Sequence, residues 1–204
     1  MACILVFAGY SELAKAQGYF VSKGVEVSAG YATDAKDFSG LSYRAGLVTK
    51  KFAVGLAMGS ATQGNLNIQT IGPDFYYRYP ISKFTLLPWA SFKSRTYSGT
   101  YNSFPATGNG TRFTAGLNFL FNIPTGSKTE IKPVLGAMWY RNDGKVVANG
   151  TNYSQAGNYT ALYAALRFQV YKISLIRLGL LPEVWYGSSR FTYGLTGNLS
   201  VGFK

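Results

Sequence analysis

Polarity alternates from residue to residue along much of this chain, most clearly in residues 191–203. One set of alternate residues is apolar and mostly large: Phe191, Tyr193, Leu195, Gly197, Leu199, Val201 and Phe203. The set between them is small and polar. Only a β-strand points successive side chains to opposite faces. Residues 52–61 and 110–121 repeat the pattern, so the chain is predicted to consist of strands with one apolar face and one polar face.

Ten stretches of this kind follow one another, separated by turn residues. They cover 19–33, 40–49, 52–61, 67–79, 84–97, 110–121, 129–142, 157–171, 174–187 and 190–203. Links such as 49–51 and 80–83 are short, whereas 98–109 and 143–156 are longer and rich in Gly, Asn, Ser and Thr. Short turns on one side and longer loops on the other are typical of outer-membrane barrels. We therefore predict an all-β fold, an antiparallel up-and-down transmembrane β-barrel of about 10 strands, with roughly 8–12 as the range.

The two faces of the predicted barrel differ in charge, and this difference indicates which face is outside. Charged residues fall almost entirely in the small polar sets, which are predicted to form a polar network in the lumen: Glu26, Arg44, Asp74, Arg78, Lys93, Arg95, Arg167 and Glu183. The bulky apolar sets carry almost no charge. A soluble lipocalin-like ligand-binding barrel would carry charge on its outer face. The pattern favours an outer face in lipid and leaves the soluble barrel as an alternative.

The distribution of charge argues against nucleic acid as a partner, although the net charge is +12. Five lysines all sit at predicted short turns, where they would face lipid headgroups: Lys50, Lys51, Lys83, Lys128 and Lys172. A nucleic-acid-binding protein instead concentrates basic residues on one face beside stacking aromatic residues. Membrane lipid is therefore the predicted partner.

Residues 1–16 have the features of a secretory signal peptide. The stretch from Ala2 to Tyr10 is almost continuously apolar, and Ala14-Lys15-Ala16 has the spacing of a cleavage site. The alternative is a short apolar strand or plug. The predicted organisation is a leader over 1–16 followed by a single barrel domain over 17–204.

Three features resemble the outer-membrane β-barrel domain family that is common in Bacteroidetes. They are the strand pattern, the Ala14-x-Ala16-Gln17 start, and the segment Tyr76-Tyr77-Arg78-Tyr79 that runs into Leu87-Pro88-Trp89. The last strand is similar to the assembly signal of such barrels through Leu199, Val201 and Phe203, although Lys204 follows the final aromatic residue. The resemblance spans most of residues 17–204. It implies a barrel fold, an outer-membrane location and the barrel-insertion machinery as a partner, but no particular activity.

The chain contains no histidine, which removes most hydrolytic chemistry. Ser-His-Asp hydrolases and histidine metal sites are excluded. The one cysteine, Cys3, lies in the predicted leader, so no thiolate chemistry is expected downstream. Nothing in the pattern places two carboxylates together as a glycosidase requires. We predict no catalytic activity, no cofactor and no metal.

Aromatic residues mark the predicted loop over 98–109. Tyr97, Tyr101 and Phe104 are candidates to contact a ligand there, and the alternative is that they pack on one another as a loop cap.

The sequence as a whole predicts an outer-membrane scaffold or interaction barrel whose lumen is filled by side chains. Its longer loops are expected outside the cell and its short turns in the periplasm. The main alternative is a narrow, porin-like passive channel with a mild preference for anions, because basic residues outnumber carboxylates in the lumen sets.

Overall fold

The computed structural model describes residues 23–34, 36–101, 103–121, 123, 130–154 and 156–203. The predicted leader, Lys128 and Lys204 lie outside these residues. The strands are β1 (Gly24–Thr33), β2 (Phe38–Val48), β3 (Phe52–Gln63), β4 (Leu66–Tyr77), β5 (Tyr79–Ile81), β6 (Phe84–Tyr101), β7 (Phe104–Phe121), β8 (Glu130–Ala148), β9 (Thr151–Ser154), β10 (Gly157–Ile173), β11 (Ile176–Gly187) and β12 (Arg190–Gly202). No helix in the described part of the chain is long and apolar enough to cross a membrane.

These strands form one closed antiparallel barrel with ten strands in its wall. Each wall strand pairs with its neighbours in sequence, and β12 pairs with β1 from Gly24↔Gly202 to Thr33↔Tyr193, which closes the sheet. The short β5 continues the line of β4 beyond Arg78, and β9 leads into β10, so the twelve segments make ten wall strands. The predicted all-β, antiparallel barrel of about 10 strands is confirmed.

The alternation of the sequence becomes an alternation between lumen and exterior. On β12, Tyr193 and Leu195 point outward and are 54% and 53% exposed, whereas Thr192 and Ser200 point inward and are fully buried. The outward residues from Phe191 to Phe203 span about 30 Å at the strand rise and tilt typical of membrane barrels, which matches the hydrocarbon core of a bilayer. The large apolar side chains are therefore outside and the small polar ones inside, the reverse of a water-soluble barrel.

The barrel has two different ends. We call one the turn end, where the connections at 49–51, 82–83 and 174–175 lie, and the other the loop end, where the hairpins at 34–37, 64–65 and 149–150 lie. Exposed lysines lie at the turn end: Lys23, Lys50, Lys51, Lys83 and Lys172.

The prediction of long loops over 98–109 and 143–156 is wrong. Both segments belong mostly to strands, so β6 pairs with β7 up to Tyr101↔Phe104, and β8 turns back into β9 at Asn149 and Gly150. Their Gly, Ser, Thr and Asn residues suggested loops, but the period of two continues through them. The inward residues build a small apolar cluster with β4: Leu66, Ile68, Tyr97, Ala106, Val146 and Ala148. These hairpins therefore extend the wall beyond the apolar outer face.

The connection from β11 to β12 holds two serines in the left-handed region, with φ of 50° at Ser188 and 62° at Ser189. Such a conformation costs a non-glycine residue on the order of 1–3 kcal/mol. Ser189→Gly is therefore expected to stabilise the barrel by about 1 kcal/mol, measured as an upward shift of the urea midpoint in micelles. The reciprocal control is Gly150→Ser, because a side chain at Gly150 would meet no atom and its φ of 71° is the only penalty. That variant should be less stable, and equal stability of both variants with the wild type would contradict the argument.

Candidate functional site

The middle of the lumen contains a buried network of ion pairs and hydrogen bonds that joins four strands. The Arg44 guanidinium donates to Asp74 on β4, with Nε and Nη2 at 3.0 and 2.9 Å from Oδ1. Its Nη1 lies 3.8 Å from Oε1 of Glu26 on β1, and Ser200 donates to the other oxygen of Glu26 at 3.0 Å. All three charged side chains are 1% exposed or less. The network therefore ties β1, β2, β4 and β12 together across the lumen.

Glycine makes room for this network. Arg44 on β2 reaches Asp74 by lying across β3, where a Cβ atom at Gly55 would be 2.7 Å from Nη2 of Arg44. Gly55 pairs with Gly46 on one side and with Asp74 on the other. The small residues of the inward sets thus create the space that the long side chains fill.

Glu183 is held by hydroxyl groups. Tyr163 donates its hydroxyl to Oε2 and Thr196 donates to Oε1, both at 3.0 Å. The Tyr163 ring packs against Trp185 at a centroid distance of 5.3 Å. Hydrogen bonds from β10 and β12 therefore satisfy both side-chain oxygens of Glu183, as the burial of a polar group requires.

Toward the loop end, cations and aromatic rings fill the lumen. Arg112 donates its Nε to Oδ1 of Asn142 at 2.7 Å, and Arg95 donates to the same oxygen at 3.2 Å. The Arg95 guanidinium lies 5.1 Å from the Tyr97 ring centre, and that of Arg112 lies 4.9 Å from the ring centre of Tyr140. Both arginines are 1% exposed. The ring faces of Tyr97 and Tyr140 and the amide oxygen of Asn142 thus compensate the positive charges of these two neighbouring arginines, which are buried away from water.

At the turn end, the mouth of the lumen is basic. Lys132 forms an ion pair with Glu130 on β8, and Arg167 on β10 lies directly across the ladder from Lys132. Arg177 on β11 lies directly across from Lys172. Arg78 stands at the break between β4 and β5 and is partly exposed. Cations therefore outnumber carboxylates at this mouth.

The structure places each residue of the predicted lumen network as follows. Seven of the eight side chains are buried in the lumen: Glu26, Arg44, Asp74, Lys93, Arg95, Arg167 and Glu183. The eighth, Arg78, lies at the turn-end mouth and is half-buried. Glu26, Arg44 and Asp74 meet, Glu183 has hydroxyl partners, and Arg95 joins Arg112 and Asn142.

Sequence reasoning missed several lumen residues. Arg112 and Asn142 occupy inward positions within the predicted stretches 110–121 and 129–142, so the period of two was a sufficient signal for both. The inward aromatic residues were missed because large rings were expected on the lipid side: Tyr76, Trp89, Tyr97, Tyr140, Tyr163 and Trp185. The lumen is therefore filled by rings as well as by small and charged residues.

The predicted loop aromatics do not lie in a loop. Tyr97 is 3% exposed and packs inside the barrel, Tyr101 contacts Tyr153 edge-on at a centroid distance of 4.7 Å, and Phe104 is 46% exposed at the start of β7. Tyr97 and Tyr101 belong to the apolar cluster at the loop end, which is the arrangement of a self-packed cap.

An ion bridge ties the β1–β2 connection to β12. Arg190 donates to Asp34 at 3.3 Å and to Asp37 at 2.9 Å, and Asp34 accepts hydrogen bonds from the backbone N–H groups of Lys36 and Phe38. Partial burial raises the pKa of Asp34, but these backbone hydrogen bonds and Arg190 outweigh it, so the pKa lies below its usual value.

In the described part of the chain, no three residues of the His, Cys, Asp and Glu types group together to hold a metal ion.

Comparison with solved structures identifies barrels of the same kind. The translocator domain of the autotransporter NalP from Neisseria meningitidis superposes with a TM-score of 0.60 at 13% identity, over 88% of this chain and 89% of that one. The β domain of the Bordetella autotransporter BrkA superposes with a TM-score of 0.57 at 14% identity, over 89% of this chain and all of that one. No protein-family model and no curated protein matches the sequence. The chain thus has the fold of outer-membrane β-barrel proteins, and at these identities the likeness extends to the fold alone.

Proposed function

We propose that this protein is an integral outer-membrane β-barrel that acts as a structural or interaction scaffold, without transport or catalysis. The observation that carries the proposal is the outer face. It exposes large apolar side chains on every wall strand, for example Val27, Leu47, Leu117, Leu166 and Leu199. A soluble protein rarely exposes a continuous apolar surface of this extent. The soluble lipocalin-like alternative is therefore disfavoured.

The close packing of side chains in the lumen favours a scaffold role over a pore. Its inward side chains are almost completely shielded from water at several heights, including Glu26, Tyr76, Arg95, Thr114 and Thr196, each at 1% exposure or less. A conducting barrel needs a continuous aqueous path through these layers. Because ion pairs, hydrogen bonds and ring contacts hold the layers in place, opening them would leave buried charges without partners.

A narrow anion-preferring channel is the second candidate, and the charge of the lumen favours it. Among the described residues, nine cationic side chains point into the lumen or its turn-end mouth: Arg44, Arg78, Lys93, Arg95, Arg112, Lys132, Arg167, Lys172 and Arg177. Four carboxylates accompany them: Glu26, Asp74, Glu130 and Glu183. Any path that fluctuations open would therefore attract anions.

The orientation belongs to the same proposal. With the turn end in the periplasm, as is usual for outer-membrane barrels, the extended hairpins of β6 to β9 project from the cell surface. Their outer face becomes polar beyond Phe92 and Phe113, where Ser94, Thr96 and Thr111 follow. This polar outer face is suited to contact the surroundings of the cell.

The deciding experiment combines three measurements on the full chain expressed with a functional leader. We expect a detergent-extracted membrane species whose gel mobility shifts on boiling, and no conductance steps in planar bilayers. A cysteine introduced at Ser103 should react with an impermeant maleimide on whole cells, whereas one at Lys83 should not. A water-soluble species without the shift would refute the membrane barrel, regular anion-selective steps would favour the channel, and the opposite labelling pattern would reverse the orientation.

A further inference from the structure

The turn-end mouth of the lumen contains a concentration of positive charge that the scaffold does not require. Lys132 on β8 lies directly across the ladder from Arg167 on β10, and Lys172 on β10 lies directly across from Arg177 on β11. Directly opposed like charges destabilise an antiparallel pair. Two such pairs therefore occur on three adjacent strands. Lys172 and Arg177 lie five residues nearer the rim along β10 than Arg167, but Arg177 is within electrostatic reach of Arg167, so an anion between the pairs would stabilise the barrel.

The carboxylates of the described residues supply only part of that charge. Glu130 forms an ion pair with Lys132 and lies within electrostatic reach of Arg167 and Arg177. Glu26 also reaches Arg167, but it is shared with Arg44 and Ser200 deeper in the lumen. Arg78 adds a further cation within electrostatic reach of Lys132 and Arg167. The local balance among the described residues remains strongly positive.

A third like-charged pair, deeper in the same barrel, shows how such charge is compensated where no anion can enter. Lys93 lies directly across from Arg112, and both are sealed from water at 2% and 1% exposure. There, Asn142 and the Tyr140 ring surround the guanidinium of Arg112. The turn-end mouth differs in access, because the side chains of Lys132 and Glu130 are 17% and 33% exposed and Lys172 is exposed.

We propose that the turn-end mouth of the lumen is an oxyanion site in which Lys132, Arg167, Lys172 and Arg177 bind a phosphate group. Guanidinium groups present paired N–H donors to phosphate oxygens, and ammonium groups add point charge without demanding one geometry. A phosphate group between β8, β10 and β11 neutralises both opposed pairs. It is either a free inorganic ion or the phosphate of an anionic lipid headgroup at the barrel rim.

The first test is the temperature at which the folded band disappears on unboiled gels, measured in nonionic micelles. At equal ionic strength, inorganic phosphate should raise this midpoint above its value in chloride, by about 3–6 °C at ten times the dissociation constant. In the variant Lys172→Gln/Arg177→Gln, the increase in midpoint caused by phosphate, which we call the phosphate effect, should be less than a third of the wild-type increase. Its midpoint in phosphate-free buffer should equal or exceed that of the wild type, because one opposed pair has been removed.

A matched control separates a site from general screening. Lys50→Gln/Lys51→Gln removes two cations from the same end of the barrel, at the β2–β3 turn, and should keep the full phosphate effect. Equal midpoints of the wild type in phosphate and chloride would overturn the proposal, and so would an equal loss of the effect in the control. If Lys172→Gln/Arg177→Gln does not fold, Lys132→Gln replaces it with the same expected loss of the phosphate effect.

The second test identifies the source of the phosphate group. The wild type is refolded into vesicles of phosphatidylcholine alone and into vesicles that also contain phosphatidylglycerol. A headgroup occupant predicts a higher midpoint with phosphatidylglycerol and no further increase on adding inorganic phosphate. A free anion predicts the same increase with inorganic phosphate in both vesicles. Either result supports the site, whereas equal midpoints in both vesicles, with and without inorganic phosphate, overturn it.

Discussion

Leu117→Arg is expected to abolish stable insertion of the barrel. Leu117 points outward from the middle of the apolar part of β7, between Phe113 and Phe121, and it is 36% exposed to what we propose is lipid. It lies opposite Pro88 on β6 and Ala137 on β8. An arginine at the bilayer midplane on the lipid face of a barrel costs about 2–4 kcal/mol. The folded fraction after refolding into vesicles, read from the mobility shift on unboiled gels, should fall sharply.

The same strand offers a control at its loop end. Thr107 also points outward on β7, but it lies beyond Phe113, where the outer face has become polar. Thr107→Arg introduces the same side chain into a watery environment and should fold as the wild type does. If Leu117→Arg inserted normally and reached normal abundance in the envelope, the outward assignment of β7 would be wrong. If both variants failed equally to insert, the arginine would be disturbing strand pairing, and its position relative to the membrane would not matter.

The fold was predictable because one local rule governs the whole wall. In a membrane barrel the backbone groups of each strand must form hydrogen bonds with the neighbouring strands, and its side chains must alternate between lipid and lumen. The period of two therefore continues along each strand without interruption. The predicted and observed strands agree closely where the apolar set is present, as in β3, β11 and β12. The errors occur at the loop end, where the outer face becomes polar and Gly, Ser and Asn suggest loops. There the alternation continues, with Val146 and Ala148 as its inward members.

The partners inside the lumen could not be predicted in the same way. The alternation of polarity along each strand shows that Arg44 and Asp74 point inward. It does not show that the guanidinium of Arg44 reaches the carboxylate of Asp74 across β3. That contact depends on the stagger between strands and on Gly55 being small enough to lie beneath a guanidinium. The inward aromatic residues show a related difficulty, because a ring fits either environment. Tyr76 is inward and stacks on Trp89, while its neighbour Tyr77 is outward, and their positions rather than their residue type decide this.

Arg44→Met is expected to destabilise the barrel by about 3–5 kcal/mol, the range found when one partner of a buried ion pair is removed. Methionine keeps much of the volume of the side chain but leaves Asp74 and Glu26 buried without the cation that they share. Asp74→Asn should cost less, since Arg44 retains Glu26 and an amide oxygen can still accept. Arg141→Met is the control, because Arg141 is exposed near the loop end and its loss should change the urea midpoint little.

Removing the carboxylate charges from the same variant separates lost charge compensation from lost packing. In Arg44→Met/Glu26→Gln/Asp74→Asn no buried charge is left without the cation, so this triple variant should be more stable than Arg44→Met. A packing defect would persist, because the triple variant keeps the methionine at position 44. Urea midpoints measured in micelles therefore decide between the two. A triple variant that is no more stable than Arg44→Met would mean that Arg44 fills space and does not hold the carboxylates of β1 and β4 in the lumen.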